Sequence, residues 1–250
     1  MRLVAASLAS ALALCGCAGG PSRELLPDLD QAVPQAVSLR PHRARRYLVF
    51  ASAVDNVGAG PLVVAGRRSL GERAMQAVQI VTRSDGSTEE APVRAALRFQ
   101  AAETHRHWHL LGFELYELRR AADFGLVAAG HKAGFCLGDR YDTAPGSLPG
   151  EPAGPVWAGE CGRSRPDLLS LSEGISVGWG DDYVPLLEGQ YVDVTGLPPG
   201  RYVLVHRVNA DRALRESDYG NDAASVLLEL AGSRVTVLAL CPDSERCPGT

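Results

Sequence analysis

Apolar and polar residues alternate with a period of two along most of this chain, the repeat of strands with one face in a core and the other in water. Segments 47–54, 61–65 and 74–83 carry the pattern in the first half. Ser84-Asp85-Gly86-Ser87 then supplies a turn into a further segment. Residues 113–118 read as another strand with less regular alternation. Segments 191–195 and 201–209 flank Gly196-Leu197-Pro198-Pro199-Gly200, a hairpin-like turn, and 225–230 and 234–240 follow the same rule. No long segment shows the 3.6-residue period of an amphipathic helix. The pattern predicts a mostly β chain: a single antiparallel, sandwich-like domain with long irregular loops, of which 144–155 is rich in glycine and proline.

One stretch adds chemistry to that framework. In His105-Arg106-His107-Trp108-His109, strand alternation turns three imidazoles to one face and sends Arg106 and Trp108 to the other. Neutral imidazole is the commonest side-chain metal ligand. Neighbours two apart lie about 6.6 Å from each other along a strand and can share one ion. The outer pair, about 13 Å apart, converges only if the backbone bends or bulges. The expectation is a metal site; the alternative is a set of exposed histidines in a polar loop. Two other spellings carry nothing. Gly58-Ala59-Gly60-Pro61 lacks the third glycine and the helix of a nucleotide loop, and Asp123-Phe124-Gly125 matches a kinase triplet with no other kinase feature around it.

Composition sharpens the picture at three points. A formal net charge of −4 leaves no basic field for nucleic acid. The 25 basic residues are 24 arginines and one lysine, Lys132, the one such side chain that can lose its proton and act as a nucleophile. Residues 1–17 read as an export signal: Arg2, an apolar run over 3–14, and Leu14-Cys15-Gly16-Cys17. That ending resembles the lipobox of bacterial lipoproteins, with Cys17 carrying a lipid that anchors the protein to the membrane. The expected location is the bacterial cell envelope: periplasm, outer membrane or cell surface. An ordinary cleaved signal peptide is the alternative. Export favours disulfides among Cys136, Cys161, Cys241 and Cys247. Of the three pairings, proximity in sequence favours Cys136–Cys161 and Cys241–Cys247.

The histidines, together with Gly130-His131-Lys132-Ala133-Gly134-Phe135-Cys136, resemble the catalytic domain of the lysyl oxidase family. Leu25-Leu26-Pro27-Asp28-Leu29 is similar to that domain's opening, and the segment from Gly174 to Tyr183 to its cofactor-tyrosine segment. Gln190 to Thr195, Pro199-Gly200-Arg201-Tyr202 and Glu216-Ser217-Asp218-Tyr219-Gly220-Asn221 follow in family order. After the lipoprotein signal peptide over 1–17, the expected organisation is a linker and lead-in over 18–46 and, as the likeness implies, a catalytic domain over 47–250.

It also implies a copper-dependent amine oxidase. His105, His107 and His109 would bind Cu(2+), and Lys132 and Tyr183 would join as a lysine tyrosylquinone. In the family's scheme a primary amine condenses with the quinone carbonyl, a base takes the α-proton, and hydrolysis releases the aldehyde. O2 then restores the cofactor, with release of H2O2 and ammonia. The cofactor carries the electronics while the protein supplies position and proton transfer. The substrate class is a primary amine, with lysine-containing protein among the candidates. Thr104 stands where animal members have a cysteine, and Leu115 where they have a further histidine, so the base is unassigned. Asp181 and Asp182 serve as candidates for it or as turn residues; His131 is either a hydrogen-bonding support or polar surface. Without the resemblance Tyr183 reads as a half-buried rim residue. Two other functions compete: a non-catalytic metal-binding surface lipoprotein on the same scaffold, and a zinc hydrolase, which lacks an HExxH-like base.

Overall fold

A computed structural model describes residues 21–101, 106–130, 134–185, 187 and 189–247. The expected export signal over 1–17 lies outside the described residues, as do His105, His131 and Lys132. No helix occurs among those described. The strands in chain order are β1 (Glu24–Leu25), β2 (Leu29–Gln31), β3 (Gln35–His42), β4 (Arg45–Asn56), β5 (Leu62–Arg67), β6 (Ala74–Arg83), β7 (Thr88–Ala101), β8 (Arg106–Leu111) and β9 (Glu114–Arg120). They continue as β10 (Leu126–Ala129), β11 (Gly134–Phe135), β12 (Tyr141–Asp142), β13 (Ser170–Ile175), β14 (Trp179–Tyr183), β15 (Tyr191–Asp193), β16 (Gly200–Val208), β17 (Ala223–Ala231) and β18 (Arg234–Cys241).

These strands form three sheets, antiparallel throughout, around one main core. The first runs β11-β8-β7-β6-β5-β13, with β1 added to β6. The second runs β10-β9-β16-β17-β18. The third is gathered on β4, whose two edges take β2 and β3, and β14 and β15. The expected mostly β, antiparallel single domain is what the chain forms. Along β4 the alternation is plain: Leu48, Phe50, Ser52, Val54 and Asn56 are buried, and most of the residues between them are partly exposed.

Two segments depart from the pattern-based reading. Residues 24–42, read as part of a polar lead-in, supply β1, β2 and β3. Backbone and side-chain hydrogen bonds hold the β2 end in place. Leu29 N–H donates to the Glu216 carboxylate (3.0 Å), Ser217 N–H to Pro27 O (2.8 Å), and the Asn221 amide to Asp28 (2.9 Å). Gly58 and Gly60 answer to the same segment: a Cβ on Gly60 would lie 2.0 Å from Leu25 O. The second departure is 196–200. It links β15, which pairs with β4, to β16, which pairs with β9 and β17, so it crosses between sheets instead of closing a hairpin. Local turn chemistry fixes the reversal of the chain but not which strand it then meets.

Both expected disulfides form, Cys136–Cys161 and Cys241–Cys247. The second belongs to a satellite cluster of Ala121, Phe124, Val203, Val205 and Leu227.

His206 of β16 is fully buried between the rings of Phe50 (4.7 Å) and Tyr116 (4.5 Å), and neither ring nitrogen has a hydrogen-bond partner. Burial pushes its pKa from 6.5 down to about 3. The unfolded chain therefore takes up a proton below about pH 6.5 that the folded protein refuses until about pH 3. The contribution is fully present above the unfolded value and is lost as pH falls through that window, at about 1.4 kcal/mol per pH unit. Urea denaturation of wild type and His206→Leu at stepped pH measures this. The variant should lose less stability between pH 6 and pH 4 (about 1 kcal/mol per unit less); parallel pH profiles would refute it.

Candidate active site

The histidine strand, β8, lies between β7 and β11. Register on β7 sets His107 opposite Gln100 and His109 opposite Arg98, with Trp108 opposite Phe99. The two imidazoles sit side by side with ring centroids 4.6 Å apart, His109 buried and His107 partly so. Their shared face is the one that alternation predicts. Trp108 packs to the other side, edge-on to Phe99 (5.8 Å) and under the Arg68 guanidinium (5.0 Å). Both Nε2 atoms are buried. Two neighbouring imidazoles on one face are nitrogen donors of the kind that Cu(II) accepts. Among the described residues no group of three His, Cys, Asp or Glu side chains could hold a metal ion.

Tyr183 closes β14 and is buried, opposite Ser52 of β4. Cys136 holds its hydroxyl through both backbone groups: the hydroxyl donates to Cys136 O and accepts from Cys136 N–H, each at 3.0 Å. Its ring meets the edge of Phe135 at 4.8 Å, and Phe135 pairs with Leu110 of the histidine strand. Burial raises the Tyr183 pKa well above the usual phenol value, and the charges of Asp181 and Glu173 raise it further. The reading of Tyr183 as a rim residue is thus replaced by a buried phenol beside the histidine strand.

The chain flanking Lys132 is fixed on both sides. Gly130 N–H donates to Tyr116 O (2.8 Å), and Gly130 forms an isolated bridge to Val192. A Cβ on Gly130 would lie 2.8 Å from the Tyr116 side chain. Gly134, at the start of β11, approaches the backbone of Leu110 too closely for a side chain, with a Cβ 2.6 Å from Leu110 O.

Asp181 and Asp182, equivalent in the sequence, are separated by the fold. Both lie in β14 and neither in a turn. Asp181 faces the core opposite Val54, 3.6 Å from Arg140, and Asp182 faces out opposite Ala53. Among the buried carboxylates that were not singled out are Glu114 and Glu173. Glu114 accepts hydrogen bonds from Ser52 (2.8 Å) and from the Tyr116 hydroxyl, and Glu173 lies on the inward face of β13. Alternation holds the signal for both. Glu173 shares its face with Leu171 and Ile175, and Glu114 shares its face with Tyr116 and Leu118, so each carboxylate occupies an apolar position.

The chain is similar to known proteins over most of its length. The profile of the family described as Lysyl oxidase matches residues 63–149 and 160–241. Protein-lysine 6-oxidase of Gallus gallus is 28% identical over 203 residues, covering 79% of this chain and 44% of the relative. Protein-lysine 6-oxidase of Sus scrofa is 27% identical over 211 residues, covering 83% of this chain and 78% of the relative. Lysyl oxidase homolog 1 of Homo sapiens is 28% identical over 214 residues, covering 84% of this chain and 34% of the relative. The chain spans less than half the length of the chicken and human relatives.

The Tyr183 clamp has a measurable cost of removal. Tyr183→Phe leaves a buried N–H and C=O of Cys136 without their partner, which costs about 1–3 kcal/mol. Urea denaturation of protein made without copper should show that loss; unchanged stability would mean that the clamp does not hold in solution.

Proposed function

Because the chain belongs to the lysyl oxidase family, we propose that it is a copper-dependent amine oxidase that uses a lysine tyrosylquinone made from Lys132 and Tyr183. The observation that carries this reading is a buried Tyr183 held by Phe135 and Cys136, on the segment that pairs with the strand of His107 and His109. His105, His107 and His109 would hold the Cu(2+). Copper would supply redox chemistry with O2 for building the quinone, and the quinone would supply an electrophilic carbonyl for primary amines. Products are the aldehyde, ammonia and H2O2.

The chain's own residues position and protect. The two Cys136 hydrogen bonds and the Phe135 edge set the orientation of the Tyr183 ring, and burial keeps water from it. An alkyl amine reaches the site as an ammonium ion at neutral pH and must lose a proton before it can attack a carbonyl. Asp181, on the strand of Tyr183, and Glu114, bonded to Ser52 opposite Tyr183, are the buried carboxylates placed to accept protons. Lys132 needs the same preparation, since only its neutral amine can add to a ring. Export through the 1–17 signal and lipid anchoring on Cys17 complete the proposal: an envelope oxidase with its domain over 47–250.

Two measurements test it. Peptide mass spectrometry on protein matured aerobically with copper should find the Lys132 and Tyr183 peptides linked, with the mass change of a quinone cross-link. Lys132→Arg keeps the charge but cannot build that link, so its amine-dependent H2O2 release should vanish. Full activity in Lys132→Arg would sink the cofactor assignment. Absence of the cross-link in folded, copper-loaded protein would leave the non-catalytic metal-binding lipoprotein. For the metal, His107→Ala should lower copper content and activity by more than the roughly 10–100-fold that outer-shell partners cost.

A further inference from the structure

On the Trp108 side of β8 the first sheet carries a cleft of about 590 Å3, whose lining includes Arg68, Glu72, Arg73, Arg98, Phe99 and Trp108. One of its guanidiniums is held rigidly. Arg68 donates from Nε to Leu168 O (2.7 Å), from Nη2 to Pro166 O (2.7 Å) and from Nη1 to Glu72 O, and it lies over the Trp108 ring at 5.0 Å. Trp108 is pinned in turn: its indole N–H donates to Arg165 O (3.0 Å), and 1% of its surface is exposed. The three acceptors around Arg68 are neutral carbonyls, which orient the guanidinium without cancelling its charge. They use three of its five N–H donors and leave two. Asp167 feels that charge, but Arg165 already holds both of its oxygens at 2.9 Å.

Two further guanidiniums border the cleft. Arg98 lies on β7 opposite Ala74, the residue after Arg73. Both arginines are exposed and take part in no ion pair among the described residues. The lining holds one carboxylate, Glu72, which accepts the N–H of Ser69 (2.7 Å). Three cations against one anion leave an excess of two positive charges. Other arginines of the same sheet meet acids: Arg67 bonds Glu90 at 2.6 Å, and Arg83 bonds Glu89 at 2.8 Å.

We propose that this cleft binds a phosphate monoester, with Arg68 as the fixed donor and Arg73 and Arg98 closing on the phosphate from the rim. Such a group carries about −1.5 to −2 charges at neutral pH, which matches the excess, and guanidinium forks suit its oxygens. A carboxylate would leave about one positive charge unanswered, and a cation would meet three like charges. The cleft is much larger than a phosphate, so the remainder of the ester can lie along Phe99, which is partly exposed. A soluble phosphate ester and a lipid headgroup offer the same chemistry. The site needs neither copper nor Lys132, so it stands apart from the oxidase reading.

Titration calorimetry of the full-length protein with glycerol 1-phosphate should show one saturable site. Arg73→Gln and Arg98→Gln, both at exposed positions, should each weaken it about tenfold, the worth of one hydrogen bond to a charged group. Arg234→Gln on β18 removes the same charge from another sheet and should leave the affinity unchanged. Phosphate bound at the histidine face instead would be indifferent to Arg73→Gln and Arg98→Gln. No saturable binding, unchanged affinity in both cleft variants, an equal loss in Arg234→Gln, or acetate binding as tightly as the ester would each overturn the site. Dihexanoyl phosphatidic acid, used below its micelle concentration, separates the two sources. Tighter binding than glycerol 1-phosphate, still weakened by Arg73→Gln, identifies a lipid headgroup; equal or weaker binding identifies a soluble ester.

Discussion

The architecture depends on one strand that is paired on both edges for most of its length. β4 takes β3 and β2 along one side and β15 and β14 along the other, so its N–H and C=O groups are consumed without help from solvent. That pairing fixes the facing of every residue on it. Leu48, Phe50, Ser52, Val54 and Asn56 point into the core, and Ser52 is thereby set opposite Tyr183 and within reach of Glu114. A shift of one residue in this register would turn Tyr183 and Asp181 out and Asp182 in. Asn56, fully buried, ties the end of the strand to Gly60 O and Ile175 O at 3.0 Å and accepts from the N–H groups of Asp28 and Gly58.

The interior is less apolar than the alternation of the strands suggests. Glu114, Glu173, Asp181 and His206 all sit where a hydrophobic side chain would be the simpler choice. Three are carboxylates, one held by Ser52 and Tyr116, one near Arg140, and one facing the backbone of Leu110 and Leu137. Buried ionisable groups of this kind gather where a protein performs chemistry, and structural networks account for others. His206 belongs to the second sort, since its neighbours are the rings of Phe50 and Tyr116.

Much of this was legible in the sequence, and the reason is geometric. A period of two is local, so β6 and the β17–β18 hairpin could be read from their own residues, as could the shared face of His107 and His109. The disulfide pairing followed from short separations of 25 and 6 residues. What could not be read depends on distant partners. β1 to β3 are strands because β6 and β4 offer edges to them, and nothing in their own composition says so. Asp181 and Asp182 differ only through the register of β14 on β4, and the burial of Tyr183 only through Cys136, 47 residues away. Glu114 and Glu173 were visible as acids on apolar faces, a signal that needs strand boundaries before it means anything.

The Cys136–Cys161 bridge reaches further than its own two residues. Cys161 O accepts the N–H of Trp108 (2.9 Å), between the two histidines, while Cys136 grips the hydroxyl of Tyr183 through both its backbone groups. One covalent bond therefore joins the histidine strand to the tyrosine strand. The pairing of Phe135 with Leu110 makes a second link between them, so the bridge braces a contact that the sheet also holds. A chain held in a reducing compartment would keep the hydrogen-bonded link and lose the covalent one, leaving the two strands coupled only as firmly as a short two-residue strand allows.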